Sequence, residues 1–221
     1  MKRGILSVTG LCLFVIFSSG LCFGFDEGDF QCWHTGSITW KTAQNWNLKW
    51  EQEFRFGDNA DDYYFWHSDL SATYSGFADW FDIGIGYRQI FEEKGNDWQE
   101  ENRPQLDATL KFMLNSFKIS NRGRLEYRNK PDADNSFRYR NKLTLTFPFK
   151  LTRFKIQPYV ADEVFADFDV GEMNRNRLYC GFNLEPVEHL KIELYYLWQE
   201  SKKSGNWSDC NVLGTKLKLS F

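Results

Sequence analysis

Residues 45–56 read NWNLKWEQEFRF. Trp46, Leu48, Trp50, Phe54 and Phe56 share one face, and Asn47, Lys49, Glu51, Glu53 and Arg55 share the other. Alternation with a period of two belongs to a β-strand, because an α-helix brings a side chain back to the same face only about every 3.6 residues. One face of this strand is aromatic and the other carries full charges.

The pattern continues in both directions. Phe81, Ile83, Ile85 and Tyr87 oppose Asp82, Gly84, Gly86 and Arg88; Ile192, Leu194, Tyr196 and Trp198 oppose Lys191, Glu193 and Tyr195. Leu213, Leu217, Leu219 and Phe221 oppose Gly214, Lys216, Lys218 and Ser220. Eleven such segments follow one another, near 32–41, 45–56, 63–74, 79–91, 104–114, 117–128, 136–147, 153–163, 174–184, 190–200 and 210–221. Each approaches the roughly 9–11 residues with which a tilted strand crosses a bilayer. Short connections (TAQN, SGFA, NS, PFKL, PVEH) take turns with longer polar ones (GDNADD, EEKGNDWQEEN, NKPDADN, ADFDVGE, SKKSGNWS). The expected fold is all-β: a closed antiparallel transmembrane barrel of about 10–12 strands, with short periplasmic turns and longer extracellular loops. Bacterial single-chain barrels have an even strand count, so eleven segments leave two alternatives. Either a further short strand lies in 25–31, or ten strands close the barrel and the N-terminal segment threads the lumen.

The ends fit an exported protein. Lys2 and Arg3 precede an apolar run from Ile5 to Phe17 and small residues up to Gly24, which is the plan of a cleaved export signal over 1–24. Residues 25–221 then form one barrel domain in the bacterial outer membrane. Removing Lys2 and Arg3 leaves 25 basic against 30 acidic residues, which argues against a polyanion-binding protein. No later stretch reaches the roughly 20 apolar residues of a membrane helix, a test to which an alternating barrel strand is invisible.

Five arginines nonetheless crowd 121–143, NRGRLEYRNKPDADNSFRYRNKL. Arg122, Arg124, Glu126 and Arg128 fall on one face of a strand, Arg138 and Arg140 on one face of the next, and aromatic residues on the opposite faces. With aromatics toward lipid the arginines point into the lumen, so no nucleic acid is expected as a partner. Charges confined there need counter-charges. The expected lumen network is Glu51, Glu53, Arg55, Arg88, Arg122, Arg124, Glu126, Arg128, Arg138, Arg140, Glu163, Arg175 and Arg177. Turn centres near Lys150 and Asp169 align Glu126, Arg138, Glu163 and Arg175 in a row of alternating sign, placing Glu163 against Arg138 and Arg175.

WEQEFRF, IGIGYRQ, RGRLEYR, FRYRNKL, PYVADEVF and NRNRLYCGF, in that order along nearly the whole exported chain, resemble an uncharacterised outer-membrane barrel family of Gram-negative bacteria. It is the domain-of-unknown-function family numbered 2490. The resemblance implies a fold and a location but no activity and no functional residues. The terminal Phe221 is similar to the signal read by barrel-assembly machinery, which with outer-membrane lipid would be the expected partner.

Other chemistry has thin support. Enzymes of this membrane need a histidine beside a serine or aspartate. Of His34, His67 and His189, only His67 has Ser68 and Asp69 beside it, which makes an enzyme the alternative to a porin-like or structural barrel. No metal-ligand spacing appears, and no cofactor is expected. Cys32 and Cys210 begin segments that meet where the barrel closes, so a disulfide between them is expected to be feasible; Cys180 faces lipid. Asn121 and Asn141 fall on the apolar face of adjacent strands, and Pro158 should mark a bulge.

Overall fold

A computed structural model of the chain describes residues 28–95, 97–131, 133–169, 171–203 and 205–221. The expected export signal lies outside them. The described chain forms β1 (Asp29–Ala43), β2 (Trp46–Gly57), β3 (Asp62–Ala78), β4 (Phe81–Lys94), β5 (Asp97–Leu114) and β6 (Phe117–Arg128). It continues through β7 (Ser136–Thr146), β8 (Gln157–Asp167), β9 (Glu172–Val187), β10 (Leu190–Lys203) and β11 (Asn206–Ser220). Each strand pairs with its chain neighbours, and β1 pairs with β11 to close the barrel.

All eleven strands belong to the wall, so neither expected solution to the odd count holds. In an up-and-down meander an eleventh strand runs in the same direction as the first. Closure must then be parallel, and it is: Asp29 aligns with Cys210 at one end and Thr39 with Ser220 at the other. The other ten pairings are antiparallel. Backbone bonds clamp both ends of the seam. Gly28 N donates to Asp209 O at 3.0 Å, Phe221 N to Thr39 O at 2.9 Å and Lys41 N to Phe221 O at 2.9 Å.

The connections at the end where β1 meets β2, here the turn end, are two residues long in four of five cases: 44–45, 79–80, 115–116 and 188–189. Asn45, Asn115 and His189 take positive φ there, which asparagine tolerates better than most residues. At the opposite or loop end, two of the five polar stretches expected as long loops, 92–102 and 201–208, are mostly strand. β4 and β5 meet across 95–96 and β10 and β11 across 204–205, leaving 129–135 as the longest connection at that end. The longest connection of all, 147–156, is at the turn end.

That connection displaces a whole strand. Thr152 and Lys155 have positive φ, and Leu151 bridges Ile156, so these residues make a small hairpin of their own. β8 therefore starts four residues later than the expected 153, and every partner across β7 and β8 moves with it. Pro158, second in β8, causes no bulge; the register shift on this strand lies at Phe165 and Ala166. Pro104 does interrupt pairing. The β5–β6 ladder stops at Gln105 opposite Glu126 and resumes only as a bridge between Asn102 and Asn129, because proline offers no amide hydrogen.

Side chains alternate across this wall as the sequence pattern requires, with the usual polarity of inside and outside reversed. Glu126, Glu163, His67 and Asp69 are at most 1 % exposed, whereas Leu70, Ile85, Phe112 and Leu213 are about half exposed or more. Polar residues on the outer face bond to one another: Asn141 Nδ2 donates to Asn121 Oδ1 at 2.7 Å, Asn176 Nδ2 to Asp162 Oδ1 at 2.8 Å and Trp50 Nε1 to Ser68 Oγ at 3.1 Å. Each of these bonds gives an outward polar group a partner within the wall itself. Part of the interior is apolar: Trp33, Tyr159, Tyr179, Tyr195, Leu197 and Val212 pack as one buried cluster. The Tyr195 ring lies over Gly214, where an added Cβ would come within 1.9 Å of it.

The seam separates Cys32 from Cys210 instead of joining them. Cys32 aligns with Leu213 and Cys210 with Asp29, three residues apart along the strands. Cys210 is buried on the inner face with Val212, whereas Cys32 alternates outward between buried Gln31 and Trp33. Both are free thiols, and so is the exposed Cys180.

Candidate functional site: a charged lumen

Every residue of the expected network except Glu126 lines a central cavity of about 190 Å³ inside the barrel. Glu126 lies behind the lining with no exposed surface. Two carboxylates organise one wall. Glu126 accepts from Arg138 Nη2 at 2.6 Å and Arg140 Nη1 at 2.8 Å, with Arg103 Nη1 at 3.8 Å. Glu163 accepts from Arg140 Nη2 at 2.7 Å, Arg122 Nη2 at 3.2 Å and Tyr179 Oη at 2.9 Å, with Arg177 Nη1 at 3.9 Å. Arg140 thus spans both acids.

The register decides these partners. Glu126 faces Arg138 across β6 and β7. Arg138 then faces Asp167, not Glu163, and Glu163 faces Lys142 and Arg177 instead of Arg138 and Arg175. Arg175 aligns with Phe165 and donates Nε to Ser201 Oγ at 3.1 Å. The four-residue delay of β8 accounts for the first change. For the second, the β8–β9 register is centred one residue later than the expected Asp169.

The opposite wall is held by shorter-range pairs. Glu53 accepts from Arg55 at 2.6 Å and from Thr35 Oγ1 at 3.1 Å, Glu51 pairs with Lys49 at 3.0 Å, and Arg88 pairs with Asp69 at 2.9 Å. On the first wall again, between β5 and β6, Arg124 and Asp107 form a two-pronged pair at 2.6 and 2.9 Å, as do Arg128 and Glu101 at 2.8 and 2.9 Å. Two hydrogen bonds in the plane of a guanidinium fix its orientation as well as its charge. Glu101 and Arg103 stand outside the expected network because a loop over 92–102 puts the start of the next strand at 104; Lys142 shares the inward face of Arg138 and Arg140 in the sequence pattern, and Lys216 that of its own strand, but neither is in the expected network. All four obey the same alternation.

Two further cavities flank the central one. The loop-end cavity, about 290 Å³, shares Trp33, Arg55, Glu92 and Arg175 with it. At that boundary the Arg55 guanidinium lies 3.7 Å from the Trp33 ring and 4.1 Å from Phe65, stacked between the two. The turn-end cavity, about 600 Å³, shares Lys49, Arg122 and Arg124 with the centre.

His67 is buried in the central lining, with Nε2 3.5 Å from Glu51 and Nδ1 3.7 Å from Glu53. Ser68, its sequence neighbour, has its hydroxyl on the outer face with Trp50. His34 bonds Thr215 Oγ1 near the seam, and His189 stacks on Phe221 at the turn end. Among the described residues no group of three or more His, Cys, Asp or Glu is placed to hold a metal ion.

A family model described as Protein of unknown function (DUF2490) matches residues 30–209. The chain belongs to that family. No curated protein matches it. The DUF2490 match runs from the second residue of β1 to the fourth of β11, so it covers the wall from β1 through β10 and leaves out 210–220, the part of β11 that pairs with β1. Within it lie all thirteen residues of the expected network.

Proposed function

We propose that this DUF2490 protein is an outer-membrane barrel acting as a porin-like conduit with a narrow lumen lined by Arg and Glu, held nearly shut by its own ion pairs. The observation that carries this is the reversed polarity of the wall. A water-soluble barrel would hide Leu70, Ile85 and Phe112 and expose Glu126 and Glu163, because apolar area is driven from water and charge is drawn to it. Here the apolar residues are outside and the carboxylates inside. Lipid is the partner that fits such an exterior. Phe221, exposed at the end of β11, is placed where assembly machinery could take it up.

The lumen is not an open pore of the general-porin kind. Charge pairs and stacked arginines fill its middle and leave about 190 Å³, enough for a few water molecules or one small ion. In planar bilayers the wild type should give small, anion-preferring steps, since the lining is richer in Arg and Lys than in Glu. Arg55→Ala, which removes the guanidinium between Trp33 and Phe65, should raise the step size severalfold. Wild-type steps as large as a general porin's, or an Arg55→Ala variant no different from wild type, would contradict the proposal.

A further inference from the structure

We propose that the central cavity is a binding site for one small inorganic oxyanion of the phosphate or sulfate class, reached from the turn end. The inference rests on the lumen being a built, polar interior and gives it an occupant.

Charge is the first argument. Thirteen Lys and Arg line the cavity against four Glu. Six more carboxylates pair with those cations from behind: Asp69, Glu101, Asp107, Glu126, Asp167 and Glu193. At least three positive charges remain uncompensated, since Glu92 and Glu193 also pair with Lys94 and Lys218 outside the lining, in a confined space where screening by water is weak. A small anion would relieve this directly.

Geometry locates the deficit. Arg122 and Lys142 stand directly opposite each other on β6 and β7, an arrangement of like charges that disfavours a sheet unless something intervenes. Glu163 stands opposite Lys142 on β8, but it serves Arg122 only through Nη2, is shared with Arg140 and Arg177, and makes no ion pair with Lys142. The Nε of Arg122 is buried and has no hydrogen-bond partner among the described residues. Lys142 has no ion pair or hydrogen bond among them either, and its Nζ rests 3.5 Å from the Tyr179 ring centroid. The orphaned Arg122 N–H and the three N–H of Lys142 are donors without acceptors, on neighbouring strands and at one level of the lumen. A tetrahedral dianion offers acceptors in several directions at once, which a halide cannot match with comparable direction or charge.

Access follows from the cavities. Arg122 also lines the turn-end cavity of about 600 Å³, while Arg55 stands between the centre and the loop end. An anion entering from the turn end meets Lys49, Arg122 and Arg124, which line both that cavity and the central one.

The test is equilibrium dialysis of radiolabelled inorganic phosphate against the purified full-length barrel in detergent at low ionic strength. Saturable binding of one phosphate per barrel, displaced by sulfate, is expected. Lys142→Met and Arg122→Gln should each weaken it at least tenfold while the barrel keeps its folded mobility on unheated gels. Lys202→Met, at the loop-end rim beside Glu172, should leave it unchanged. Arg122 is about a third exposed, so Arg122→Gln is expected to keep the folded mobility even if Lys142→Met does not. The absence of saturable binding, or binding indifferent to both central substitutions, would overturn the proposal. Because dialysis needs no ion flow, phosphate binding beside a silent bilayer would overturn the conduit alone, and conductance without binding would overturn the site alone.

Discussion

Glu163→Ala should destabilise the folded barrel by about 3–5 kcal/mol, the cost of leaving buried charges without their partner. Glu163 is 1 % exposed and is the common acceptor for Arg140, Arg122 and Tyr179, with Arg177 at 3.9 Å. Removing it leaves two guanidinium groups and a phenol facing a void, and Arg140 retains only Glu126. Urea unfolding in detergent micelles, followed by tryptophan fluorescence, measures the effect. Glu163→Gln should cost less, because the amide oxygen still accepts from Tyr179. The double variant Glu163→Leu with Arg140→Leu should recover at least about 1 kcal/mol relative to the sum of the single changes, since taking away both charges removes the penalty of stranding one. Strict additivity would mean that the pair is not coupled as the distances indicate.

The second large effect is on the outer face. Leu70 is 52 % exposed and flanked in register by Trp50 and Tyr87, well along β3 from the turn end. In a bilayer Leu70→Arg should cost about 2–4 kcal/mol, as a cation near the midplane does on the lipid face of a barrel. Phe77 is 69 % exposed but lies beside the 79–80 turn, so Phe77→Arg should cost about 1 kcal/mol or less, in keeping with interfacial depth. Folding titrations into phospholipid vesicles give both values. In a soluble barrel two exposed sites would behave alike and both changes would be nearly neutral. The depth dependence is therefore the informative quantity.

Period-two alternation made the strands legible because each mid-wall residue has one of two opposite environments. It failed where that contrast fails. At the loop end of β4 and β5, Glu100 accepts from Gln89 and Asn102 on the exposed outer face while Glu101 pairs with Arg103 inside. Both faces are polar there, no alternation survives, and strand reads as loop. The inward direction of the arginines was legible for the same reason as the strands. Their partners were not, because a partner depends on register, and the register across β7 and β8 depends on a ten-residue connection whose small hairpin, 151–156, has an apolar residue at each end like any strand. A four-residue displacement preserves facing, so Glu163 keeps its inward side while its partners become Arg140, Arg122 and Arg177. The parallel seam was available from parity alone once eleven segments were counted; an expectation of even numbers hid it. Cys32 and Cys210 show the converse. Their closeness at the seam was legible, but their opposite facing follows only when the shear between β1 and β11 is known.

The central claim is that this wall has lipid outside and a charged interior. Nitroxide labels placed one at a time at 143, 144, 145 and 146 of β7, in a background lacking Cys32, Cys180 and Cys210, test it in phospholipid vesicles. Leu143 and Leu145 alternate outward, Thr144 and Thr146 inward. Labels at 143 and 145 should be open to dissolved oxygen and shielded from a water-soluble nickel complex, with 144 and 146 the reverse. Nickel access at 143 and 145, or no alternation along the four positions, would contradict the account.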